Sequence, residues 1–389
     1  MSPTTPAFPS RLPNVGTTIF TVMSALATQH KAVNLGQGFP DFDCDPKLVD
    51  GVTTAMQQGH NQYPPMPGVP ALRQAIAAKI EAVYARQYSA DTEITITAGA
   101  TQAILTAILC CVGPGDEVIV LEPCYDSYVP NIELTGATVV RVPLTPGTFR
   151  PDFDKIGAAL SPKTRAIIIN SPNNPSGTVW SPEDMRRLDE LLAATRVLVI
   201  SDEVYEHMVY APLRHESVAR YPGLAARSFI VSSFGKTYHV TGWKVGYVAA
   251  PAALTAEFRK VHQFNVFTVN TPMQHGLASY MQDAAPYLNL PAFYQAKRDL
   301  FREGLAKTKF RLLPCEGTYF QCVAIDQLAV PERDLPEAEF CQWLTREVGV
   351  AAIPLSAFYG DGFDQKVVRF CFAKRDETLR EAVVRLCKL

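Results

Sequence analysis

The sequence predicts an α/β fold built on a largely parallel sheet, and three observations carry that expectation. First, seven short apolar runs, at 93–98, 118–121, 138–142, 166–170, 197–202, 229–232 and 245–250, are bounded by turn residues and read as buried strands. Second, stretches of helical periodicity separate several of them, among them 99–112 and 182–194. Third, strands alternating with helices require a sheet covered on both faces. From about position 251 the pattern changes to longer helices with fewer strands, which predicts a smaller α+β unit.

The elements follow in order. Residues 1–16 carry prolines at 3, 6, 9 and 13 and read as an extended arm. Residues 19–30 have helical spacing, 33–40 form a glycine-punctuated turn, 46–58 a helix and 61–68 an irregular loop. A helix is expected over 70–88, with Leu72, Ile76, Ile80 and Val83 on one face. Beyond the seven strands, helices are expected at 252–263, 270–282, 290–308, 337–347 and 376–386, and strands near 317–325 and 367–372. The expected domains are 46–285 as the large one and 286–389 as the small one, with 1–45 supplying the arm and part of the small domain.

Composition narrows the function. A chain of 389 residues with 47% hydrophobic and 19% charged residues can bury a large core. Its net charge of -2 offers no basic field for nucleic acid. No apolar run approaches the ~20 residues that span a bilayer, and the N-terminus lacks an apolar signal core, so a cytoplasmic location is the default expectation. Nine scattered cysteines without a Cys-x-x-Cys pair fit a reduced compartment, and the seven histidines show no paired-ligand spacing, so no metal site is expected.

Chemistry concentrates in the stretch SSFGKTYHVTGWKVGY, residues 232–247, where Lys236 lies in a tight loop between two apolar runs. Most lysines are solvated, but one delivered from a core strand loses water and becomes a nucleophile able to form a Schiff base. A phosphate-binding P-loop is excluded, because Ile230 stands where its first glycine belongs. Ligands of such sheets bind at the carboxyl ends of the strands. There the sequence offers Gly99-Ala100-Thr101, with backbone amides at a helix start suited to a phosphate. It also offers Tyr125, as an aromatic face or a packed core residue, and Asn174 in the turn-rich SPNNPSG. Asp202 closes an apolar strand, either as a helix cap or as the partner of a buried cation. Arg369, inside the apolar VVRFCFA, is suited to a buried ion pair or to a ligand carboxylate.

SPNNPSG, SDEVYE, SSFGKTYHVTGWKVG and RFCFA, in this order and spacing, resemble the class I/II aminotransferases, the fold-type-I enzymes that use pyridoxal 5′-phosphate. The resemblance runs from NLGQGFPDF onward and is closest to the branch of kynurenine and glutamine transaminases. Within that branch DEVYEHMVY, LPCEGTYF and FCQWLT look most like bacterial methionine aminotransferases. It implies that the large domain binds the cofactor and that Lys236 holds it as a Schiff base. It further implies Asp202 at the pyridine nitrogen, Tyr205 and Asn174 at the ring hydroxyl, and Tyr125 on the ring face. Gly99, Ala100, Thr101, Ser233 and Lys244 would bind the phosphate, and Tyr63 would reach the phosphate of a neighbouring subunit, which implies a homodimer. Arg369, with Asn174 and the Gly36 backbone, would clamp the substrate carboxylate.

The sequence departs from the kynurenine-using relatives at two positions. Phe20 stands where they carry a tryptophan, and Thr268 follows Phe267 where they carry a histidine. Phe20, Tyr63, Tyr125 and Phe267 make the expected side-chain pocket aromatic, which favours thioethers and flat rings. Methionine is therefore the expected best amino donor, and a 2-oxo acid the acceptor. Kynurenine transamination and cysteine-conjugate β-elimination are the alternatives.

Overall fold

The structure is a computed structural model that describes residues 9–389, so half of the expected N-terminal arm, residues 1–8, lies outside the described residues. The strands are, in chain order, β1 (Val33–Asn34), β2 (Ile94–Thr97), β3 (Glu117–Glu122), β4 (Thr138–Pro143), β5 (Thr164–Asn170), β6 (Leu198–Asp202) and β7 (Ser228–Ser233). They continue with β8 (Gly246–Ala249), β9 (Arg311–Leu312), β10 (Phe320–Ala324), β11 (Val350–Ala351), β12 (Ile353–Pro354) and β13 (Val367–Cys371). The seven expected strands are β2 to β8, and they form one sheet in the order β2-β8-β7-β6-β5-β3-β4; the expectation of burial fails at β4, an edge strand on which only Val142 is buried. Pairing is parallel from β4 through β7, whereas β8 runs antiparallel to both its neighbours.

Alternation along these strands divides the core. Ile119, Leu121, Ile167 and Ile169 join the cluster on one face, and Val118, Val120, Ala166 and Ile168 join the cluster on the other. Burying both faces is what makes inner strands such as β3 and β5 read as continuous apolar runs. The second face is covered in part by α4 (Ala100–Cys111, following α1 Ile19–Gln29, α2 Pro46–Gln57 and α3 Pro70–Tyr84), through Ala103, Ile104, Ala107 and Ile108.

A second, four-stranded antiparallel sheet has the order β12-β13-β10-β9, and β1 pairs in parallel with β11. The Cys371 amide donates to the Leu35 carbonyl at 2.7 Å, so the N-terminal segment is laid against β13 and Gly36 is brought to Arg369.

Three expectations need correction. The helix expected over 70–88 ends at Tyr84, where Ala85 turns left-handed with φ 56°. The chain must reverse there to enter β2, and the reversal buries Tyr88. The helix expected over 337–347 is α-helical only over Glu337–Trp343 and widens to a π-turn over Leu344–Val348. Lys236 lies not in a loop but on a single helical turn, Phe234–Thr237, started by the Ser233 hydroxyl accepting from the Gly235 amide at 3.2 Å.

Candidate active site

The carboxyl ends of β2, β5, β6 and β7 open on one cleft. The reversed β8 contributes its amino end to the same edge. Gly246 is in register with both Thr97 of β2 and Ser233 of β7, so Lys244 arrives between the two strand ends. A Cβ on Gly246 would lie 2.6 Å from the Ser232 carbonyl and 3.2 Å from the Ala100 amide; only glycine permits this approach.

Gly99, Ala100, Thr101, Tyr125 and Asn174 line the cleft. So do Asp202, Tyr205, Ser233, Lys236 and Lys244. Ten sequence-predicted site residues thus meet in one place. At one end, Gly99 (φ 80°) precedes α4, whose first amides have no intrahelical acceptor. A Cβ on Gly99 would fill the space beside the Lys244 ammonium, at 3.3 Å. Free amides, a helix N-terminus, the Ser233 hydroxyl and a lysine make this end a concave anion cradle.

Asp202 is buried, with no cation in hydrogen-bond contact among the described residues. Its carboxylate accepts from the Tyr128 hydroxyl at 2.6 Å and from the Val204 amide at 3.3 Å. Burial pushes the carboxyl up to about 6, despite those two donors. No helix follows β6 directly, so Asp202 caps only a local turn. Lys236, half-buried across the cleft, donates to the Tyr319 hydroxyl at 2.8 Å and to the Gly38 carbonyl at 3.2 Å. Burial draws its ammonium down to about 8, and the Arg369 guanidinium acts in the same direction.

Arg369 is 1% exposed on β13, where an isolated charge would be costly. Its guanidinium donates to the Asn174 side-chain oxygen at 2.8 Å and the Gly36 carbonyl at 3.1 Å. It stacks over Phe320 at 3.9 Å, with Phe358 at 4.9 Å and Phe20 at 5.4 Å. No carboxylate forms a salt bridge with it, and its Nε is buried without a hydrogen-bond partner among the described residues. The buried ion pair weighed as its ordinary role is not made, so a fork suited to a carboxylate remains available.

Two predicted residues lie elsewhere. Tyr63 is 80% exposed and Phe267 46% exposed; they pack edge-on against each other at 5.2 Å, away from the cleft of their own chain. Sequence reasoning missed Tyr128, Tyr319, Gly38 and Phe358. Tyr128 had a signal, since it stands three residues after Tyr125 in CYDSY and opens the short helix Tyr128–Glu133.

The Aminotransferase class I and II family matches residues 30–386. The chain is 52% identical to the methionine aminotransferase of Escherichia coli K12, over 98% of each chain. A solved structure assigned a methionine aminotransferase function, from the same species, superposes with a TM-score of 0.95, covering 99% of this chain and 100% of that one. N-succinyldiaminopimelate aminotransferase from Mycobacterium tuberculosis superposes with a TM-score of 0.93 at 43% identity, covering 98% and 100%. Kynurenine–oxoglutarate transaminase 3 of Rattus norvegicus is 35% identical, over 96% of this chain and 88% of its own. With Lys236 and Asp202 at the strand ends of the large sheet and Arg369 reaching Asn174 from β13 of the smaller one, the chain belongs to the class I and II aminotransferases.

Proposed function

We propose that the cleft holds pyridoxal 5′-phosphate and that the enzyme moves the amino group of methionine to a 2-oxo acid by a ping-pong reaction, with aromatic and other apolar amino acids as lesser donors. The observation that carries this reading is the separation of Lys236 and Asp202. Both line one cleft, Asp202 buried and Lys236 half-buried; each is satisfied by neutral groups, the Tyr128 hydroxyl and the Tyr319 hydroxyl among them, and not by the other.

The residues present fit the group. The anion cradle at Gly99, Ala100, Thr101, Ser233 and Lys244 suits its phosphate, and Asp202, short of a cation, suits its pyridine nitrogen. Tyr125 would lie on the ring face, with Tyr205 and the free amide nitrogen of Asn174 at the ring hydroxyl. When bound, pyridoxal phosphate supplies the electron sink for the bonding pair of the substrate α-carbon. Asp202 keeps its negative charge at neutral pH and favours a protonated ring nitrogen. Lys236, partly neutral near pH 8, would take the α-proton and return it to the carbon on the far side of the substrate nitrogen, two bonds away. Arg369 holds the substrate carboxylate with the help of Asn174 and the Gly36 backbone.

Phe20 and Phe358 stand beside Arg369, edge to face at 5.8 Å, and form an apolar wall for the side chain that a bound α-carboxylate would place there. Thioether sulfur packs well against such rings, and a second carboxylate would be desolvated against them. We further infer a homodimer, in which the exposed Tyr63 and Phe267 complete the neighbouring subunit's cleft. Steady-state rates over a panel of amino donors test the reading: methionine should give the highest kcat/KM and aspartate a poor one. An aspartate value equal to that for methionine would overturn it.

A further inference from the structure

The bonds made by the Lys236 amine single out a residue that the proposed reaction leaves unused. Tyr319 is 1% exposed, packed against the rings of Tyr205 at 5.3 Å and Tyr294 at 5.7 Å. Its hydroxyl donates to the Gly38 carbonyl at 2.5 Å and accepts from Lys236 at 2.8 Å. The same carbonyl accepts from Lys236 at 3.2 Å. Amine, phenol and carbonyl therefore close a three-membered hydrogen-bond ring.

The ring is held from outside. Thr318 takes a left-handed conformation (φ 63°), its amide bonded to the Met208 carbonyl at 2.8 Å, and Tyr319 accepts from the Phe372 amide at 2.9 Å. The Tyr210 hydroxyl fastens the Thr318 carbonyl as well. On the other side, a Cβ on Gly38 would come within 2.9 Å of the Phe320 ring, so the carbonyl reaches this place only from a glycine.

A tetrahedral amine with two N–H groups on this wall keeps one position for the cleft. We propose, on the footing of the function inferred above, that Tyr319 and the Gly38 carbonyl form a docking cradle for the free Lys236 amine, with Tyr319 as a positioning residue that aims the nitrogen lone pair at the substrate α-carbon. In the step it serves, the α C–H bond breaks, its electron pair stays with the substrate, and the proton becomes the third N–H of Lys236. The phenol remains protonated throughout, because burial holds its ionisation well above the ordinary range.

Tyr319→Phe removes the acceptor and keeps the ring. Two readings decide the matter. In cofactor-free protein, pH-dependent acetylation of Lys236 followed by peptide mass spectrometry should give a midpoint near 8 for the wild type. The variant's midpoint should be lower, by about half a pH unit, because an acceptor favours the charged amine. With the cofactor, kcat for methionine should fall about 10- to 100-fold with KM nearly unchanged, the scale of a misplaced reacting group. The isotope effect with α-deuterated methionine should rise as proton transfer becomes limiting. An unmoved midpoint, or a loss of kcat without a larger isotope effect, would overturn the cradle and leave Tyr319 as packing. If the wild type turned over no amino acid, the proposed function would fall, and the acetylation midpoints would still decide the cradle.

Discussion

Two lysine–carboxylate constellations lie back to back in this molecule, and they are built on opposite plans. Lys79 and Glu206 are both almost fully buried and in direct contact. The Tyr84 and Ser232 hydroxyls donate to the same carboxylate, and Tyr247 joins both partners. Burial alone would push the Glu206 carboxyl up, but Lys79, His207 and the Ser232 hydroxyl together outweigh it and hold the group well below the usual carboxylate range. Lys236 and Asp202 are close by along the chain: Asp202 ends β6 four residues before Glu206, and Ser232, whose hydroxyl binds Glu206, is followed on β7 by Ser233, which lines the cleft with Lys236. Here lysine and acid rest on neutral groups, and burial is left uncompensated in both, at about 8 for the amine and about 6 for the acid. A closed pair fixes structure, whereas a pair kept apart stays reactive near neutrality.

The sharpest break of that contrast is Lys236→Ala. Transamination should drop by about 10⁴-fold, the upper range for losing a general base, while the thermal midpoint stays near wild type. Stopped-flow and melting curves together check both halves.

Lys79→Met should do the reverse. Removing one member of a buried pair costs about 3–5 kcal/mol, and it strands Glu206; denaturant unfolding should show the loss. The folded fraction that remains should keep kcat within about a factor of three.

Asp202→Asn keeps the shape and removes the charge, and proton transfer should slow by about 10²-fold. The sign of its pH dependence follows from an acid raised to about 6: wild type is charged above that value and loses its charge as pH falls through it. The wild type's advantage over the variant in cofactor affinity should therefore be full at neutral pH and fade below 6. Isothermal titration across that range measures it; an advantage that persisted at lower pH would assign the charge to another group.

The smallest expected effect is at Phe20. Its ring touches the Phe358 wall and not the anion cradle, so Phe20→Ala should raise KM for methionine by about tenfold or less, in the range for one apolar contact. Cofactor affinity, measured by titration of the cofactor-free protein, should not move.

Much of this was legible in the sequence, and the limit has a physical pattern. The strands of the large sheet other than the edge strand β4 are covered on both faces, so burial writes each of them as an apolar run. Lys236, Asp202 and Arg369 stand out because a charge inside such a run is costly and needs a reason. The two-residue strands β1, β9, β11 and β12 left no trace, because pairs that short form only where tertiary neighbours hold them. Tyr128 and Tyr319 act through a single hydroxyl oxygen, which the sequence marks at most by the three-residue step from Tyr125 to Tyr128. Tyr63 and Phe267 are exposed and do not line this chain's cleft, a placement that no local pattern in the sequence marks.

The reversed strand β8 has a further consequence, for which changes the molecule can absorb. Elsewhere in the sheet, consecutive parallel strands are joined by long crossovers in which an added residue can be taken up at a helix end. The lysine-bearing segment instead joins β7 to its immediate neighbour β8, over 234–245, with Ser233 and Gly246 directly opposed. One extra residue there either moves the amine or slips β8, and a slip sends Tyr247 and Val248 to exchange faces between the two cores. Length at this connection should thus be among the least negotiable properties of the chain, and loop-grafting that spares every named residue would still fail if it altered the count.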